Sequence, residues 1–489
     1  MANYTTKEKV DKLLDNALNS AAVFSQLDQK QTDKIVKAVY RAAFKNRIKL
    51  AKMAVEETEI GNFDDKVVKN IVGSFYVYED IKDQKTVGVI SDDRATGIME
   101  VAEPLGPILA IIPVTNPTST TIFKILIALK TRNPIIISPH QKAIGCIAEA
   151  ARICYEAALK EDAPENCIQW TLDEVYDPAT FDLKEHFAET NAIMAHKDLA
   201  LIVATGGGGV VKAAYTSGTP AYGVGSGNVP VLIDKTADAQ FAVEQIFISK
   251  TFDNGTICAS EQAVVVVEAI ADEVEEEFKK QGGYFLNESE VKAVEDIVLD
   301  PKRGVMSAAV VGQPALKIAK MAGISVPDDT KILMAPLDSV GNEHPLSSEI
   351  LCPILAYYVK KDFSTALATC MDLNYHGGMG HSASIHSNRE DKIREFAITM
   401  NAGRILVNSP SSQGAVGGLF NKLHTSLTLG CGTTGKNITT DNITIKHLMN
   451  IQRVARRRVD ERLSNFDTSL FYDESLSPKE FEKKYNMNY

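Results

Sequence analysis

From about residue 106 onward, short apolar runs that suit buried strands alternate with longer runs that suit helices. The strand-like runs include "PILAIIPV", "NPIIISPH" and "LALIVAT", and the helical runs between them include "STTIFKILIALK" and "AIGCIAEAARICYEAALK". Strands that are apolar along their whole length and alternate with helices predict a parallel sheet covered on both faces. A second alternating set begins near Asp238. We therefore predict two α/β domains, with ligands at the carboxyl ends of the strands.

Two other segments accompany these domains. Residues 5–83 carry apolar side chains at three- and four-residue steps, which predicts a helical region ahead of the first sheet. Residues 85–91 and 97–104 read as two strands around the polar turn "DDRAT", which predicts a hairpin that faces solvent or another subunit.

The size and charge of the chain limit the classes of partner that it can be expected to bind. Its 489 residues exceed one ordinary core, so several domains are expected. A net charge of −11 offers no attraction to nucleic acid or to an anionic membrane surface, so a small molecule is the expected partner. The amino terminus lacks an apolar signal region, and no segment approaches the roughly 18 apolar residues of a membrane span. We therefore expect a cytoplasmic protein.

The cysteines predict free thiols. There are seven, an odd number without a C-x-x-C pair, which argues against a disulfide framework and a structural zinc site. Five lie in apolar surroundings and are predicted to be small buried side chains. These five are Cys146, Cys154, Cys167, Cys352 and Cys370. Cys258 and Cys431 remain as candidates for chemistry.

Cys258 stands in "TFDNGTICASEQ", where Asn254 and Gly255 indicate a turn between a helix and the strand "AVVVV". A polar turn leaves a thiol accessible and leaves backbone N–H groups free to stabilise an oxyanion. Spacing alone allows either a nucleophile or a packed cysteine at this position. Cys431, between glycines in "LGCGTTG", is the weaker second candidate.

Two further motifs carry possible chemistry. In "LIVATGGGGVVKAAY" a strand is followed by four glycines and a helix, which suits a phosphate at the helix start but equally a plain tight turn. His376, His381 and His386 recur every fifth residue, a spacing that places no three on one face of a helix or strand, so we expect no metal site. His381 is a candidate acid or base, with a structural role as the alternative.

Several of these segments together resemble one family, the CoA-acylating branch of the aldehyde dehydrogenase superfamily. They include "IIPVTNPTSTTIFK", "YGVGSGNVPVLID", "FDNGTICASEQ", "SSEILCPIL" and "LGCGTTGKNITTDNITIKHLMN". The likeness is greatest to the aldehyde dehydrogenase half of bifunctional aldehyde-alcohol dehydrogenases, and it covers residues 5–455. The tail after Arg456 resembles the linker of those enzymes, so the alcohol dehydrogenase activity is expected to be missing.

The resemblance implies an aldehyde dehydrogenase fold, with a Rossmann-like cofactor domain, an α/β catalytic domain and an oligomerisation hairpin. The implied boundaries are 1–235 for the cofactor-binding domain, with the hairpin at 85–104 within it, 236–435 for the catalytic domain, 436–455 for an oligomerisation strand and 456–489 for a charged tail. A homodimer or higher homo-oligomer is expected.

The resemblance also implies roles for individual residues. Cys258 matches the nucleophilic cysteine of the family, and its backbone N–H is one expected oxyanion donor. A gapless match puts Thr115 at the position of the family's oxyanion asparagine and Asn116 one residue later, and the side chain of Asn116 is the second expected donor. His381 is the candidate to take the proton of coenzyme A. Gly223 stands where hydrolytic relatives carry the glutamate that activates water, which makes coenzyme A the expected acyl acceptor.

The cofactor expected from the resemblance is NAD, with NADP possible because Ser138 stands where hydrolytic relatives have a ribose-binding lysine and Lys142 could pair with a 2′-phosphate. Glu349 matches the glutamate that holds the nicotinamide ribose. The full expected cofactor-binding set is Thr115, Ser138, His140, Lys142, Thr205, Gly206, Gly207, Gly225 and Glu349.

The expected reaction is the reversible oxidation of acetaldehyde to acetyl-CoA through a Cys258 thioester. Propionaldehyde, butyraldehyde, succinic semialdehyde and sulfoacetaldehyde are the alternative substrates. Two other functions stay open on the sequence: a hydrolytic dehydrogenase that uses another base, and a non-catalytic, filament-forming subunit.

Overall fold

The computed structural model of this chain describes residues 5–171, 182–300 and 305–487. Their contacts form two compact units: the described residues within 5–84 and 104–449 form one, and those within 85–103 and 450–487 form the other. Residues 1–4 and 172–181 of the predicted cofactor-binding domain lie outside the described residues, as do 301–304 of the predicted catalytic domain and 488–489 of the predicted tail. The predicted domain boundaries stay predictions.

The larger unit begins with helices, as the apolar spacing predicts. They are α1 (Thr6–Phe24), α2 (Gln29–Lys45), α3 (Arg47–Thr58), α4 (Phe63–Ile71) and α5 (Val77–Ile81), with a π-helical turn over Val72–Tyr76. Capping boxes begin α1 and α2, where Thr5 and Asp28 accept hydrogen bonds from the third backbone N–H of each helix. Across the described part of the chain, every helix is too short or too polar to cross a membrane.

The smaller unit contains the predicted hairpin. Strand β1 (Gly88–Asp93) pairs antiparallel with β2 (Ile98–Pro104), and β17 (Met449–Ala455) completes a three-stranded sheet in the order β1-β2-β17. The same unit holds the tail helices α17 (Glu461–Ser464) and α18 (Pro478–Met487). Of the predicted oligomerisation strand at 436–455, the part from Met449 onward is a strand.

The first α/β set forms a five-stranded parallel sheet in the order β5-β4-β3-β6-β7. Its strands are β3 (Ile108–Ile111), β4 (Ile135–Ser138), β5 (Ile168–Trp170), β6 (Leu201–Thr205) and β7 (Ala221–Val224). Its helices are α6 (Pro117–Lys130), α7 (Ile144–Leu159), α8 (Leu183–Met194) and α9 (Gly208–Thr216). The strand order reverses between β3 and β6, which creates a crevice at their carboxyl ends where such sheets bind ligands.

The second set forms a seven-stranded parallel sheet in the order β10-β13-β14-β9-β8-β15-β16. Its strands are β8 (Val229–Ile233), β9 (Glu261–Val267), β10 (Gly283–Phe285), β13 (Ile332–Pro336), β14 (Ile354–Lys360), β15 (Gly380–His386) and β16 (Ala402–Val407), and a separate antiparallel pair comprises β11 (Leu299–Asp300) and β12 (Val305–Met306). The helices are α10 (Ala239–Thr251), α11 (Ala271–Gln281), α12 (Glu288–Val298), α13 (Ala315–Met321), α14 (Phe363–Gly377), α15 (Glu390–Thr399) and α16 (Ser411–Val416). Strand β9, which follows the Cys258 loop, lies at the centre.

The sequence patterns do not predict β7, β8, β10 or β13. Strand β8 contains Pro230, a residue usually confined to sheet edges because it lacks a backbone donor. The pairing of β8 with β9 shifts its register between Val229 and Pro230, and this irregularity accommodates the proline in the middle of the sheet. The second sheet therefore begins at Val229, ahead of the predicted boundary at residue 235.

Candidate active site

The loop that carries Cys258 connects α10 to β9, as the sequence predicts. Asp253 and Asn254 have φ angles of 50° and 53°, and Gly255 has a φ of 74°. Left-handed conformations are unfavourable for residues with a side chain, and two of them in succession need support from the surrounding protein. Cys258 lies three residues after Gly255, so the support of the turn also restrains the thiol.

Buried side chains from α4 and from the loop itself supply that support. Lys66 Nζ donates to Asp253 Oδ2 at 2.6 Å, and Lys69 Nζ donates to the same oxygen. The Thr256 hydroxyl donates to Asp253 Oδ2 at 2.7 Å, and the Asn62 backbone N–H donates to Oδ1 at 2.9 Å. Burial alone would raise the pKa of the Asp253 carboxyl, but the two lysines outweigh it and lower the pKa. Asp253 is therefore a buried, charged anchor for the turn.

His381 brings a ring nitrogen to the Cys258 sulfur. Nε2 of His381 lies 3.2 Å from Cys258 Sγ, although 123 positions separate the two residues along the chain. Cys258 is half-buried, whereas the other six cysteines are buried. Burial, followed by the nearby Glu349 and Cys431, raises the pKa of the Cys258 thiol to about 12, and Arg404 opposes this rise. The sulfur therefore needs a hydrogen-bonding partner to act as a thiolate.

The imidazole of His381 is enclosed by protein. The residue belongs to β15 and is completely buried. Burial, followed by the positive charge of Arg404, lowers the pKa of the ring to about 3, so the ring is neutral at physiological pH. Its second nitrogen, Nδ1, lies 3.1 Å from the hydroxyl oxygen of Ser382.

Arg404 lies directly across from Ser382 in the neighbouring strand β16. Only 4% of its surface is exposed, so its charge lies in the protein interior. Its guanidinium donates to Ser382 Oγ at 3.3 Å, Thr440 O at 3.2 Å, Asn442 Oδ1 at 3.1 Å, His381 O at 2.8 Å and Gly430 O at 2.6 Å. These acceptors are all neutral oxygens, so the guanidinium keeps a positive field near the sulfur.

Glu349 is a further ionisable side chain near the Cys258 sulfur. Its Oε1 accepts a hydrogen bond from the Gly227 backbone N–H at 2.8 Å. Burial raises the pKa of the Glu349 carboxyl to about 7. A Cβ atom on Gly227 would lie 2.3 Å from the Cys258 carbonyl oxygen and 3.0 Å from His381 Cγ. Glycine at 227 therefore allows the cysteine, the histidine and the glutamate to converge.

The loop with Thr115 and Asn116 follows β3 at the crevice of the first sheet. Asn116 is the N-cap of α6, and its amide Nδ2 donates to Thr115 Oγ1 at 3.1 Å. The Thr115 carbonyl accepts from Lys66 Nζ at 2.7 Å. Among the described contacts no hydrogen bond joins Asn116 to Cys258, so the oxyanion role of Asn116 stays a prediction.

The glycine run after β6 is suited to a phosphate. Gly207 is the N-cap of the nine-residue helix α9, and a Cβ built on Gly207, Gly208 or Gly209 meets no atom within 4 Å. Open space in front of unpaired backbone N–H groups fits the pyrophosphate of a dinucleotide. Thr205 Oγ1 is hydrogen-bonded to Thr428 Oγ1 at 3.0 Å, and a Cβ on Gly225 would also meet open space.

The residues expected around the adenosine ribose differ in their exposure. Ser138 is buried, and its hydroxyl is hydrogen-bonded to Thr190 Oγ1 at 2.9 Å, so it is engaged within the protein. Lys142 is exposed, and its backbone N–H donates to Nδ1 of the half-buried His140 at 3.1 Å. Burial, followed by Lys142, lowers the pKa of His140 to about 4. His140 and Lys142 are therefore the two members of this group that reach the surface.

Among the contacts that the structure describes, the other candidate residues make no hydrogen bond to the Cys258 thiol, although Cys431 is near enough to influence its pKa. The five cysteines predicted to be buried are buried, which confirms that interpretation. Cys431 is also buried, and its thiol lies 3.5 Å from the Leu429 carbonyl. His376 lies on α14 while His381 and His386 lie on β15, and within the described residues no group of acidic, histidine and cysteine side chains is arranged to hold a metal ion.

Sequence patterns miss four residues of this site. Lys66, Asp253, Ser382 and Arg404 are polar or charged, which favours an exposed position in the absence of partners, and yet each is buried. One signal was available for Asp253, since it opens the "DNG" turn ahead of Cys258. Lys66 and Arg404 find their partners in distant parts of the chain, and Ser382 is linked to its neighbour His381 and to Arg404 on the adjacent strand.

Comparison with known proteins identifies the family. The profile of the aldehyde dehydrogenase family matches residues 2–285. The chain is 45% identical over 478 residues to the bifunctional aldehyde-alcohol dehydrogenase AdhE of Escherichia coli K12, which is 97% of this chain and 52% of that protein. It thus spans about half the length of the bifunctional relatives that it matches.

Other relatives match over nearly their whole length, and two of them illustrate this. The acetylating succinate-semialdehyde dehydrogenase of Clostridium kluyveri is 34% identical over 94% of this chain and 98% of its own. The crystal structure of an acetylating aldehyde dehydrogenase from Geobacillus thermoglucosidasius superposes with a TM-score of 0.88 at 46% identity, covering 93% of this chain and 98% of that one. With its two parallel sheets and a cysteine loop ahead of the central strand, the chain belongs to the aldehyde dehydrogenase family.

Proposed function

We propose that this protein is an acylating aldehyde dehydrogenase that converts a small aldehyde and coenzyme A into the acyl-CoA thioester, with a nicotinamide dinucleotide as the oxidant. The observation that carries the proposal is the 3.2 Å approach of His381 Nε2 to the half-buried Cys258 sulfur. The names of the relatives support it, since two of those compared are acetylating enzymes.

In the proposed reaction the Cys258 thiolate attacks the aldehyde carbon, and the carbonyl oxygen becomes an oxyanion. The backbone N–H of Cys258 and the Asn116 amide are the proposed donors to this oxygen. When bound, the dinucleotide accepts the hydride, and the acyl group remains on sulfur as a thioester. We propose that the glycines before α9 bind this cofactor together with Gly225 and Glu349. The other proposed cofactor-binding residues are Thr115, Thr205, His140 and Lys142.

The acyl group then passes to coenzyme A. The sulfur of coenzyme A attacks the thioester, Cys258 leaves as a thiolate, and His381 is the candidate to receive the coenzyme A proton. Gly223 supplies no carboxylate, and a Cβ there would lie 2.7 Å from Val211 Cγ1 and 3.0 Å from Tyr215 Cε2, so the position cannot accept a glutamate without rearrangement. Without a base at this position water attacks slowly, while thioester exchange is nearly balanced in energy.

A hydrolytic dehydrogenase is the second candidate, because Glu349 lies near the sulfur. Its pKa of about 7 would allow it to accept a proton from water near neutral pH. Its Oε1 already accepts a hydrogen bond from the Gly227 N–H. This bond fixes the carboxyl and makes it less available to activate a water molecule. The acylating function is therefore the better supported of the two.

Acetaldehyde is the proposed substrate, with propionaldehyde, butyraldehyde, succinic semialdehyde and sulfoacetaldehyde as alternatives. NAD is the proposed cofactor, and the exposed Lys142 is the group that would favour the 2′-phosphate of NADP. We further propose a cytoplasmic homodimer or higher oligomer, since β1 and β17 both present largely exposed side chains at the edges of their sheet.

The test is to follow reduction of NAD and of NADP by acetaldehyde, with and without coenzyme A. A requirement for coenzyme A, together with formation of acetyl-CoA, supports the proposal. Steady reduction without coenzyme A, with release of acetate, supports the hydrolytic candidate. Cys258→Ala should abolish turnover in both directions, and Cys154→Ala, a buried cysteine on α7, is the matched control.

A further inference from the structure

Behind the candidate nucleophile, four side chains form a continuous hydrogen-bonded row. Arg404 Nε lies 3.3 Å from Ser382 Oγ, which lies 3.1 Å from His381 Nδ1, and His381 Nε2 lies 3.2 Å from Cys258 Sγ. Ser382 and Arg404 are paired across the strands β15 and β16, and both are buried. The row is therefore held by the sheet itself.

Arg404 determines which atoms donate and which accept along this row of hydrogen bonds. A guanidinium can only donate, so the Ser382 oxygen accepts from Arg404 Nε. The hydroxyl hydrogen of Ser382 still needs an acceptor, because the side chain is completely buried. Among the residues that the structure describes, His381 Nδ1 is the other atom that Ser382 Oγ contacts by a hydrogen bond. Nδ1 is thus the acceptor for the serine hydroxyl.

The opposite arrangement leaves a buried hydrogen without a partner. If Nδ1 carried the proton, Ser382 Oγ would accept from both His381 and Arg404, and its own O–H would point at no acceptor. Such an unsatisfied buried donor is disfavoured. The low pKa of the ring supports the same conclusion, since a neutral imidazole holds one proton and a ring that accepts at Nδ1 must carry that proton on Nε2.

We propose that in the resting enzyme His381 carries its proton on Nε2 and donates a hydrogen bond to the Cys258 sulfur, and that Ser382 and Arg404 are the positioning residues that impose this tautomer. This inference rests on the proposed thioester chemistry and revises one part of it. His381 can accept a thiol proton at Nε2 only after its own proton moves to Nδ1 and the serine hydroxyl turns away.

An N–H donor is what this sulfur needs. Burial and the nearby Glu349 both disfavour a negative sulfur, and a hydrogen bond donated to the thiolate offsets that penalty. The same donor stabilises Cys258 when it attacks the aldehyde and again when it leaves the thioester. The positive charge of Arg404, which interacts electrostatically with Cys431, Cys258 and Asp441, acts in the same direction.

The decisive substitution is His381→Gln, because the glutamine amide can donate to the sulfur but cannot serve as a base. We expect His381→Gln to keep at least tenfold more coenzyme A-dependent activity, as kcat/KM for the aldehyde, than His381→Leu, which removes the donor. Equal loss of activity in both variants, with both still folded, would overturn the donor role.

A second pair of variants tests the positioning residues. Ser382→Ala removes the link between Arg404 and the ring, while Ser384→Ala, two residues along β15 with its hydroxyl bound to the Leu406 carbonyl, removes a comparable buried hydroxyl. We expect iodoacetamide to alkylate Cys258 severalfold more slowly in Ser382→Ala than in Ser384→Ala, as read by peptide mass spectrometry. Equal rates would contradict the role of the row.

The tautomer itself can be read without any turnover. Nitrogen-15 NMR of the full chain with labelled histidine, assigned by the signals lost in His381→Gln, should show a protonated Nε2 and an unprotonated Nδ1 for His381. The reverse pattern would overturn the inference. Failure of the wild-type protein to use coenzyme A would instead refute the proposed function, while the NMR and alkylation results would still decide the tautomer.

Discussion

Lys66 Nζ lies 2.6 Å from Asp253 Oδ2, and the same ammonium group donates to the Thr115 carbonyl at 2.7 Å. Asp253 begins the turn that leads to Cys258, and Thr115 precedes Asn116. One buried lysine on α4 therefore ties together the two segments that supply the proposed oxyanion donors. Donors from distant parts of the chain are useful in catalysis only if they are fixed relative to each other.

Replacing Asp253 with asparagine should destabilise the protein strongly. The change keeps the shape of the side chain but leaves Lys66 and Lys69 buried without their shared carboxylate. Removal of one partner of a buried ion pair typically costs about 3–5 kcal/mol of unfolding free energy. Urea unfolding should show this loss. Asp64→Asn, at an exposed position of α4, the helix that carries Lys66 and Lys69, should change the unfolding free energy by less than about 0.5 kcal/mol. Similar losses in both variants would contradict the role of Asp253 as the anchor.

Gly227→Ala should inactivate the enzyme. The added Cβ would meet the Cys258 carbonyl at 2.3 Å and the His381 ring at 3.0 Å, so the thiol loop and the imidazole must move apart. We expect kcat to fall by more than about 100-fold, since a displacement of about 1 Å in a catalytic group has effects of this size. Gly209→Ala, where the new Cβ meets no atom within 4 Å, is the control for thermal stability. Normal activity of Gly227→Ala would show that the site tolerates the shift.

The sequence predicted the elements of the fold better than the contacts of the site. The turn at Asn254 and Gly255 placed Cys258 on an accessible loop, because turn signals are local and lie within a few residues. The 123-residue separation between Cys258 and His381 has no local signal, and spacing among the histidines gave no reason to join His381 to this cysteine.

The buried charged residues are the other part of the site that sequence patterns could not predict. Arg404 and Lys66 look like surface residues in the sequence, because a charged side chain is normally exposed unless partners satisfy it. The partners of Arg404 are mostly backbone carbonyls, and every residue type has one, so the sequence does not show which of them will bind the guanidinium. Strand β8 was missed for a related reason, since Pro230 argues against a central strand unless the register shift is known.

Glu349→Gln should make Cys258 more reactive toward alkylation. The carboxylate of Glu349 is the second cause, after burial, that raises the pKa of the Cys258 thiol, so removing its charge should lower that pKa. The glutamine oxygen can still accept from the Gly227 N–H, which keeps the geometry. We expect the pH at half-maximal iodoacetamide reactivity to shift downward, while Glu261→Gln leaves it unchanged. An unchanged value in Glu349→Gln would show that the carboxylate does not influence the sulfur.

Glu261→Gln should change how stability depends on pH. Glu261 is completely buried, and burial raises the pKa of its carboxyl from 4.5 to about 7. Because the native pKa exceeds the unfolded value, the stability that this group contributes is fully present below pH 4.5 and is lost as the pH rises through about 7. The unfolding free energy of the wild type relative to the variant should fall across this range in urea titrations. Parallel curves for the two proteins would contradict the shift.

Gly208→Asp should weaken cofactor binding without weakening the fold. Gly208 is the first residue of α9, where a Cβ meets no atom within 4 Å, so a side chain fits. A carboxylate at a helix start is favourable for the helix but repels the pyrophosphate proposed to bind there. We expect the KM for NAD to rise at least tenfold, which corresponds to about 1.4 kcal/mol, with no loss of thermal stability. Gly208→Asn has the same shape without the charge and should show a smaller rise; equal KM values for the two variants would place the pyrophosphate elsewhere.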